Sequence, residues 1–385
     1  MGPKFVVAVI AMVAVAGMLW PEQRLISAGQ ETLASGYKVL EPIRNGSLTV
    51  FPVVASKSYA TGEFLTLDEG LRSGEVVVTE YGNVRGLVRQ RVVPQRDSAE
   101  VNRLVLVNNS KRPLLLLAGE IVAGGKQDRV IGMDRIVPPE SDPIDLNVFC
   151  VEPGRWVATS DRFGSSGATY GSAAHGVAGD SAKASTGTLM AQPSVRAKAM
   201  GDKDQGQVWA EVQKQQRSMT TQVASASPSA PVPQDLRATS SYAVVMENYD
   251  VKQKVDEVAK PIERNYQNLI KQLRDRNAVG VVVAVNGRVI WSDVFASTEL
   301  LEKYWPKLVR SYASEAVATR VKGGEASLEQ AESFLANMQG RRETIESEPG
   351  VFRHTEISGD GFKAFELTSL LPKTGFDVHV AKMAE

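Results

Sequence analysis

Leu114 to Arg135 reads LLLLAGEIVAGGKQDRVIGMDR. A fully apolar strand, Leu114–Leu117, runs into Ala118-Gly119-Glu120. Ile121-Val-Ala123 resumes the apolar pattern, and the pair Gly124-Gly125 opens onto Lys126-Gln127-Asp128-Arg129. Paired glycines free a backbone to turn tightly and to bring N–H groups near a ligand. Lys126 and Arg129 beside them could hold an anion. Glu120, Asp128 and Asp134 could position a hydroxyl, a water or a metal. Equally, the segment reads as a tight β-turn whose charges pair with one another, and spacing leaves both readings open.

Working outward, the flanking segments are also strand-like. Leu48–Val54 (LTVFPVV) is β-branched, with Pro52 favouring an edge or a bulge. Leu67–Ser73 suggests one or two helical turns stopped at Gly74. Glu75–Thr79 and Asn102–Asn108 are strands, and Asn109–Pro113 is a turn. Ile144–Val151 alternates between Pro138-Pro139 and Pro153-Gly154. Short strands between Gly/Pro turns indicate a β-sandwich or barrel-like layer.

Ser, Ala, Gly, Thr and Gln then dominate from Phe163 to about Arg237, the composition of a flexible linker. Within it Gln207–Gln213 suggests a short helix whose Trp209 docks back onto the folded part. Beyond it the pattern becomes mixed. Tyr242–Met246 reads as a strand. Val251, Val255, Val258, Ile262, Tyr266, Leu269, Ile270 and Leu273 recur at steps of three and four behind Asp250, an amphipathic helix that Pro261 should bend or split. Ala278–Trp291 reads as a hairpin around Asn286-Gly287. Helices are expected from Thr298 and from Ser327, the latter with Gln330 completing a capping box. Strands follow from Phe352 to Val380. The expected fold is therefore α+β: a strand-rich half at 29–162, an insertion at 163–240, and a half of hairpin plus amphipathic helices at 241–385.

Composition excludes several classes. The 385 residues carry 44 basic and 44 acidic side chains. A neutral chain without a dense basic run argues against nucleic acid as a partner. One cysteine rules out an internal disulfide and multi-Cys zinc sites, and three histidines leave little for a His-based metal cluster; no metal ligand set is assigned and any cofactor is unknown. Met1–Trp20 has Lys4 ahead of an apolar run shorter than the ~20 residues of a spanning helix. With Ala14-Val15-Ala16 as a cleavage site it reads as a signal peptide within 1–28, or else as an uncleaved anchor, the only membrane contact expected. Either places the bulk of the chain outside the cytoplasm.

Other motifs are weak. Gly164-Ser165-Ser166-Gly167-Ala168 lacks the last glycine of a nucleophile elbow. Gly359-Asp360-Gly361-Phe-Lys-Ala364 matches G-x-G-x-x-A, but no good helix follows, so a hairpin turn is the better reading. Cys150, opposite Phe149 by alternation, suits inert core packing. His175 falls in the insertion. His354 and His379 fall on terminal strands as surface or satisfied residues and give a His-centred mechanism little support.

The runs LTVFPVV, FLTLDEGLRSGEVVVTE, VLVNNSKRPLLLLAGEIVAGGKQDRVI, IVPPESDPIDLNVFCVEPGRW, QGQVWAEV and VGVVVAVNGRVIWSDVFAS together resemble the ARPP domain, the ADP-ribosylglycohydrolase and rhodanese-phosphatase-superfamily-associated protein domain, from about Ser47 to Ala318. This is a prokaryotic domain of unknown function. The resemblance implies recognition or processing of a nucleotide-derived or phosphorylated ligand, by association alone. Its polar positions here are Glu120, Gly124, Gly125, Lys126, Gln127, Asp128, Arg129, Glu152, Gly154, Arg155, Trp156 and Trp291. The favoured expectation is a binding module for a small anionic molecule or glycan, with Gly124, Gly125, Lys126, Gln127, Arg129, Arg155 and Trp156 as ligand contacts. The alternative is a hydrolase using Glu120 or Asp128 as base or metal ligand, which needs two of Glu120, Asp128, Asp134 and Glu152 within about 6 Å so that one pKa rises. A structural domain with no small ligand is the third.

Overall fold

A computed structural model describes residues 36–80, 103–154, 163–165, 189–226, 232–273, 276–319 and 323–385. The signal-like segment 1–28, Arg155, Trp156 and His175 lie outside the described residues. The fold is α+β. Its strands are β1 Tyr37–Val39, β2 Ile43–Asn45, β3 Leu48–Ala55, β4 Leu65–Thr66, β5 Val76–Glu80, β6 Arg103–Asn108, β7 Leu114–Leu116, β8 Glu120–Gly124, β9 Arg129–Ile131, β10 Arg135–Val137, β11 Ile144–Cys150, β12 Phe163–Ser165, β13 Leu189–Met190, β14 Asn277–Val285, β15 Arg288–Phe295, β16 Gly340–Glu348, β17 Phe352–Gly359, β18 Phe362–Ser369 and β19 Asp377–Ala384. Its helices are α1 Leu67–Ser73, α2 Pro193–Ala197, α3 Gln205–Ala226, α4 Gln234–Ala238, α5 Tyr242–Glu247, α6 Tyr249–Gln272, α7 Thr298–Ala318 and α8 Leu328–Ala336, with a π-helical turn at Lys198–Asp202 between α2 and α3.

The strand-rich half closes into a six-stranded barrel. β5, β6, β11, β9 and β8 pair in that order, and β12 joins β8 back to β5. Closure removes the exposed edges an open sheet would present. The interior is filled by side chains such as Val78, Leu106, Val122, Ile131, Val148 and Phe163. A small sheet, β10-β7-β4, and α1 pack onto the same cluster. The capping of α1 is local: Thr66 and Glu69 form a capping box, and Gly74 takes the left-handed conformation that stops the helix.

The second layer is an antiparallel sheet ordered β1-β3-β14-β15-β19-β18-β17-β16, with β2 also on β3. It does not respect the two halves expected from sequence, because β1–β3 come from the first and the rest from the second. Pro52 lies inside this sheet, where its missing N–H falls in the gap between the short partners β1 and β2. Asn286-Gly287 makes the expected hairpin, with both residues at positive φ. One face of the sheet carries α8 over Val282, Ala284 and Val294. The other joins the largest core, shared with α3, α6 and α7 and with outward barrel residues such as Ile121, Val130 and Phe149.

Three local expectations are corrected. Tyr242–Met246 is helix, not strand: Ser241 caps it, and a five-residue apolar run carries no periodicity to separate the two. The insertion 163–240 is not linker throughout. The expected short helix at 207–213 is the 22-residue α3, whose Val208, Val212, Met219 and Val223 are buried at steps of four and seven amid polar residues. β13, α2 and the π-turn precede it. Finally, α6 starts behind Asn248 rather than Asp250 and continues through Pro261. By contrast, α7 behind Ser297 and α8 behind the Ser327–Gln330 capping box begin where the sequence placed them. Among the described residues no helix is long and apolar enough to cross a membrane.

Candidate functional site

Ala118-Gly119-Glu120 is where the layers meet, each residue meeting a different distant element. The Ala118 N–H donates to Asp134 Oδ1 at 2.7 Å. Gly119 has φ +98°, and a Cβ there would lie 2.6 Å from Arg196 Cγ, so only glycine leaves space for that side chain. The Gly119 N–H donates to the Ile131 carbonyl, and its own carbonyl accepts from Ala191, tying β9 and the β13–α2 segment to one residue. The Glu120 carboxylate accepts from the Leu117 N–H at 2.8 Å and pairs with Lys307 of α7.

Arg196 enters a fully buried charged network. Its guanidinium is bidentate on Asp293, at 2.8 and 2.9 Å, and sits 4.4 Å over the Trp291 ring. Asp293 also accepts from Trp291 Nε1 and from the Tyr312 hydroxyl, and lies 3.1 Å from His379 Nε2. His379 Nδ1 lies 2.6 Å from Asp134. An imidazole flanked by two carboxylates donates from both nitrogens only when protonated. Burial works against the charged ring, yet Asp134 and Asp293 raise its pKa to about 9. Burial likewise works to raise the Asp293 carboxyl, but Arg196 and His379 hold it well below the usual carboxylate range. Two cations and two anions thus balance with no solvent contact. The sequence reading of His379 as a satisfied residue stands; its place at the centre of the molecule was not legible.

His354 behaves differently. It lies two strands away in the same cross-strand row, paired in register with Leu367, which in turn pairs with His379. It is buried, and neither ring nitrogen has a hydrogen-bond partner among the described residues. Desolvation drives its pKa down to about 4, so the ring is neutral at physiological pH.

The glycine loop joins the barrel strands β8 and β9. Gly124 and Gly125 both have positive φ, and a Cβ on Gly125 would strike the Phe163 ring and Glu80. The N–H groups freed by the turn point at protein carboxylates: Gly124 donates to Asp128 Oδ1 at 3.0 Å, and Lys126 to Glu80 Oε1 at 2.9 Å. Asp128 Oδ2 takes the Ser241 hydroxyl at 2.8 Å, and the Asp128 N–H donates to Glu152 Oε2 at 3.1 Å. Gln127 Nε2 donates to the Glu152 carbonyl. Arg129 is fully buried, and only Lys126 of the loop is partly exposed. Two acceptors here, Glu80 Oε2 and Gln127 Oε1, are buried and have no hydrogen-bond partner among the described residues.

The structure therefore brings Lys126, Gln127, Asp128 and Arg129 together with Glu80, Glu152 and Ser241. Glu80 and Ser241 were not legible as site residues, since each sits far away in the chain. Of the four carboxylates considered for hydrolysis, that of Glu152 meets the backbone N–H of Asp128. Glu120 is held by Lys307 and Asp134 by His379. Glu120 does have its pKa raised, by burial opposed by Lys307. Cys150 is buried and its thiol pKa is raised by that burial, as inert packing requires.

Residues 36–382 match the model of the ARG and Rhodanese-Phosphatase-superfamily-associated Protein domain. The chain belongs to that family. No curated protein and no solved structure matches it. The match covers the barrel, the insertion and the large sheet together. Gly359-Asp360-Gly361 is a hairpin turn between β17 and β18 in this ARPP domain, with no helix to receive a dinucleotide phosphate. Among the described residues no group of three or more His, Cys, Asp or Glu side chains is arranged to hold a metal ion.

Proposed function

We propose that this ARPP domain is a binding module that takes a small anionic, hydroxyl-bearing ligand, a sugar phosphate or nucleotide-derived molecule, at the loop Gly124–Arg129. The observation that carries the reading is the pair of buried acceptors, Glu80 Oε2 and Gln127 Oε1, unpartnered among the described residues, beside the partly exposed Lys126. A buried acceptor without a donor costs ~1–3 kcal/mol, which a ligand hydroxyl would recover. Lys126 supplies the local positive charge that a neutral chain does not provide globally. The protein's own carboxylates already occupy the Gly124 and Lys126 N–H groups, so the ligand's anion would meet the lysine side chain and its hydroxyls the two acceptors.

The test is thermal denaturation with sugar phosphates, nucleoside diphosphates and divalent cations as separate additions. A ligand at a hundred times its Kd adds about 2.7 kcal/mol. Stabilisation abolished by Lys126→Ala and by Glu80→Gln supports the site; a response untouched by both removes it. The N-terminal run Met1–Trp20 supports a location outside the cytoplasm. Fractionation that finds the protein with cytoplasmic markers overturns that location.

A further inference from the structure

Lys382, on β19, is 2% exposed, and among the described residues no carboxylate pairs with it. Buried lysines are nearly always paired, and Lys382 differs in this from the buried Lys307. Arg196 and Lys307 each face carboxylates. Lys382 instead donates to the carbonyls of Phe334 and Asn337 at the end of α8, and its Nζ lies 3.8 Å from the centre of the Phe362 ring and 4.6 Å from that of Phe334. Helix capping explains the two carbonyls. It does not explain the cavity.

That cavity, about 550 Å³, opens between α8, the β14–β15 hairpin and the β17–β18 turn, and Lys382 is part of its lining. The charged groups that line the cavity with Lys382 are Arg288 of β15, whose guanidinium also donates to the Glu385 carbonyl, Glu329 of α8 and Asp360 of the turn; Ser333 and Asn337 add polar groups. It lies on the α8 face of the sheet, away from the Gly124–Arg129 loop. A buried lysine packed against two rings, with an arginine lining the same cavity, is an arrangement suited to nucleophilic attack on an anionic electrophile.

We propose that Lys382 is a nucleophilic amine that captures a small anionic carbonyl compound, an aldehyde or an α-oxoacid, as an imine in this cavity. The Nζ lone pair bonds to the carbonyl carbon while the C=O pair moves to oxygen. One nitrogen proton passes to that oxygen to give the carbinolamine, and the hydroxyl then leaves as water with the second nitrogen proton as the C=N bond forms. Arg288 holds the anionic group. Burial independently lowers the Lys382 pKa to about 8, which leaves a useful share of neutral amine near neutral pH.

The experiment uses the full chain with glyoxylate and cyanoborohydride at pH 7.5, followed by peptide mass mapping. Each unit by which a pKa is lowered multiplies the neutral amine about tenfold. Lys382 should therefore carry the carboxymethyl group at least about tenfold ahead of the exposed Lys111 and Lys373. No label at Lys382, or label no faster than at those two, overturns the proposal. Lys382→Arg should lose that adduct alone; if the variant does not fold, mapping of the unsubstituted protein still decides. Propionaldehyde in place of glyoxylate should label Lys382 less, and equal labelling overturns the assignment of Arg288 and of the anionic class.

Discussion

Asp293→Asn removes one charge and keeps the shape. In the folded protein Asp293 accepts two bonds from Arg196, one from Trp291 Nε1 and one from the Tyr312 hydroxyl, and it faces His379 Nε2. After substitution, Arg196 and protonated His379 have Asp134 as their remaining anion in the network, a buried net charge of one. The new amide also turns an Nδ2 donor toward groups that are themselves donors. Breaking a buried ion pair by removing one partner costs about 3–5 kcal/mol. Whole domains are held by about 5–15 kcal/mol, so a large part of the stability is at stake. The assay is urea denaturation followed by tryptophan fluorescence and circular dichroism at pH 7. Arg196→Met, measured alone and in the double variant, completes a cycle in which the pair should couple by ~0.5–3 kcal/mol, making the double variant less unstable than the sum. A loss below about 1 kcal/mol for Asp293→Asn, with additive behaviour in the double variant, would refute the claim that the network holds the layers together.

Two further outcomes follow from the same geometry. Stability should peak near pH 6.5. His379 has its folded pKa raised to about 9, so its contribution is complete below 6.5 and is lost as pH rises through 9. His354 has its folded pKa lowered to about 4, so stability is lost as pH falls from 6.5 through 4, and Asp134 and Asp293, both lowered, add to the loss below that. A monotonic profile of denaturation midpoint against pH would contradict this. Gly119→Ala should cost about 1–3 kcal/mol, because the new Cβ must fit at φ +98° against Arg196; a thermal midpoint within error of the unsubstituted protein would show that Arg196 can move aside.

What the sequence disclosed was local. Capping at Thr66, Ser297 and Ser327, the Asn286-Gly287 turn and the strand rhythm of Leu114–Arg135 are set by neighbours within a few residues. The hidden parts depend on distance along the chain. Asp134, Arg196, Asp293 and His379 come from four elements, and a lone charged residue on an apolar strand looks the same whether its partner is water or a second buried ion. α3 was masked by its Gln and Ser content: burial of one narrow stripe suffices to dock it, whereas composition averages over all faces. Tyr242–Met246 shows the converse, an apolar run too short for its period to declare itself. The loop Gly124–Arg129 was visible as a polar turn, but the carboxylates that meet its N–H groups arrive from Glu80 and from within the loop, and only folding shows that they get there first.

The position of β3 has a consequence for how the protein is made. β3 is buried along its whole length, and its long partner is β14; Ala55 and Asn277, which meet there, are 222 residues apart. At a synthesis rate of roughly 5–20 residues per second, the apolar stretch LTVFPVVA waits on the order of ten seconds or more before that partner exists. The large sheet cannot be completed until the last strand, β19, slides between β15 and β18. In a growing chain this sheet stays unfinished until β19 has been made. A chain lacking β19 would lose the middle of its sheet rather than an edge.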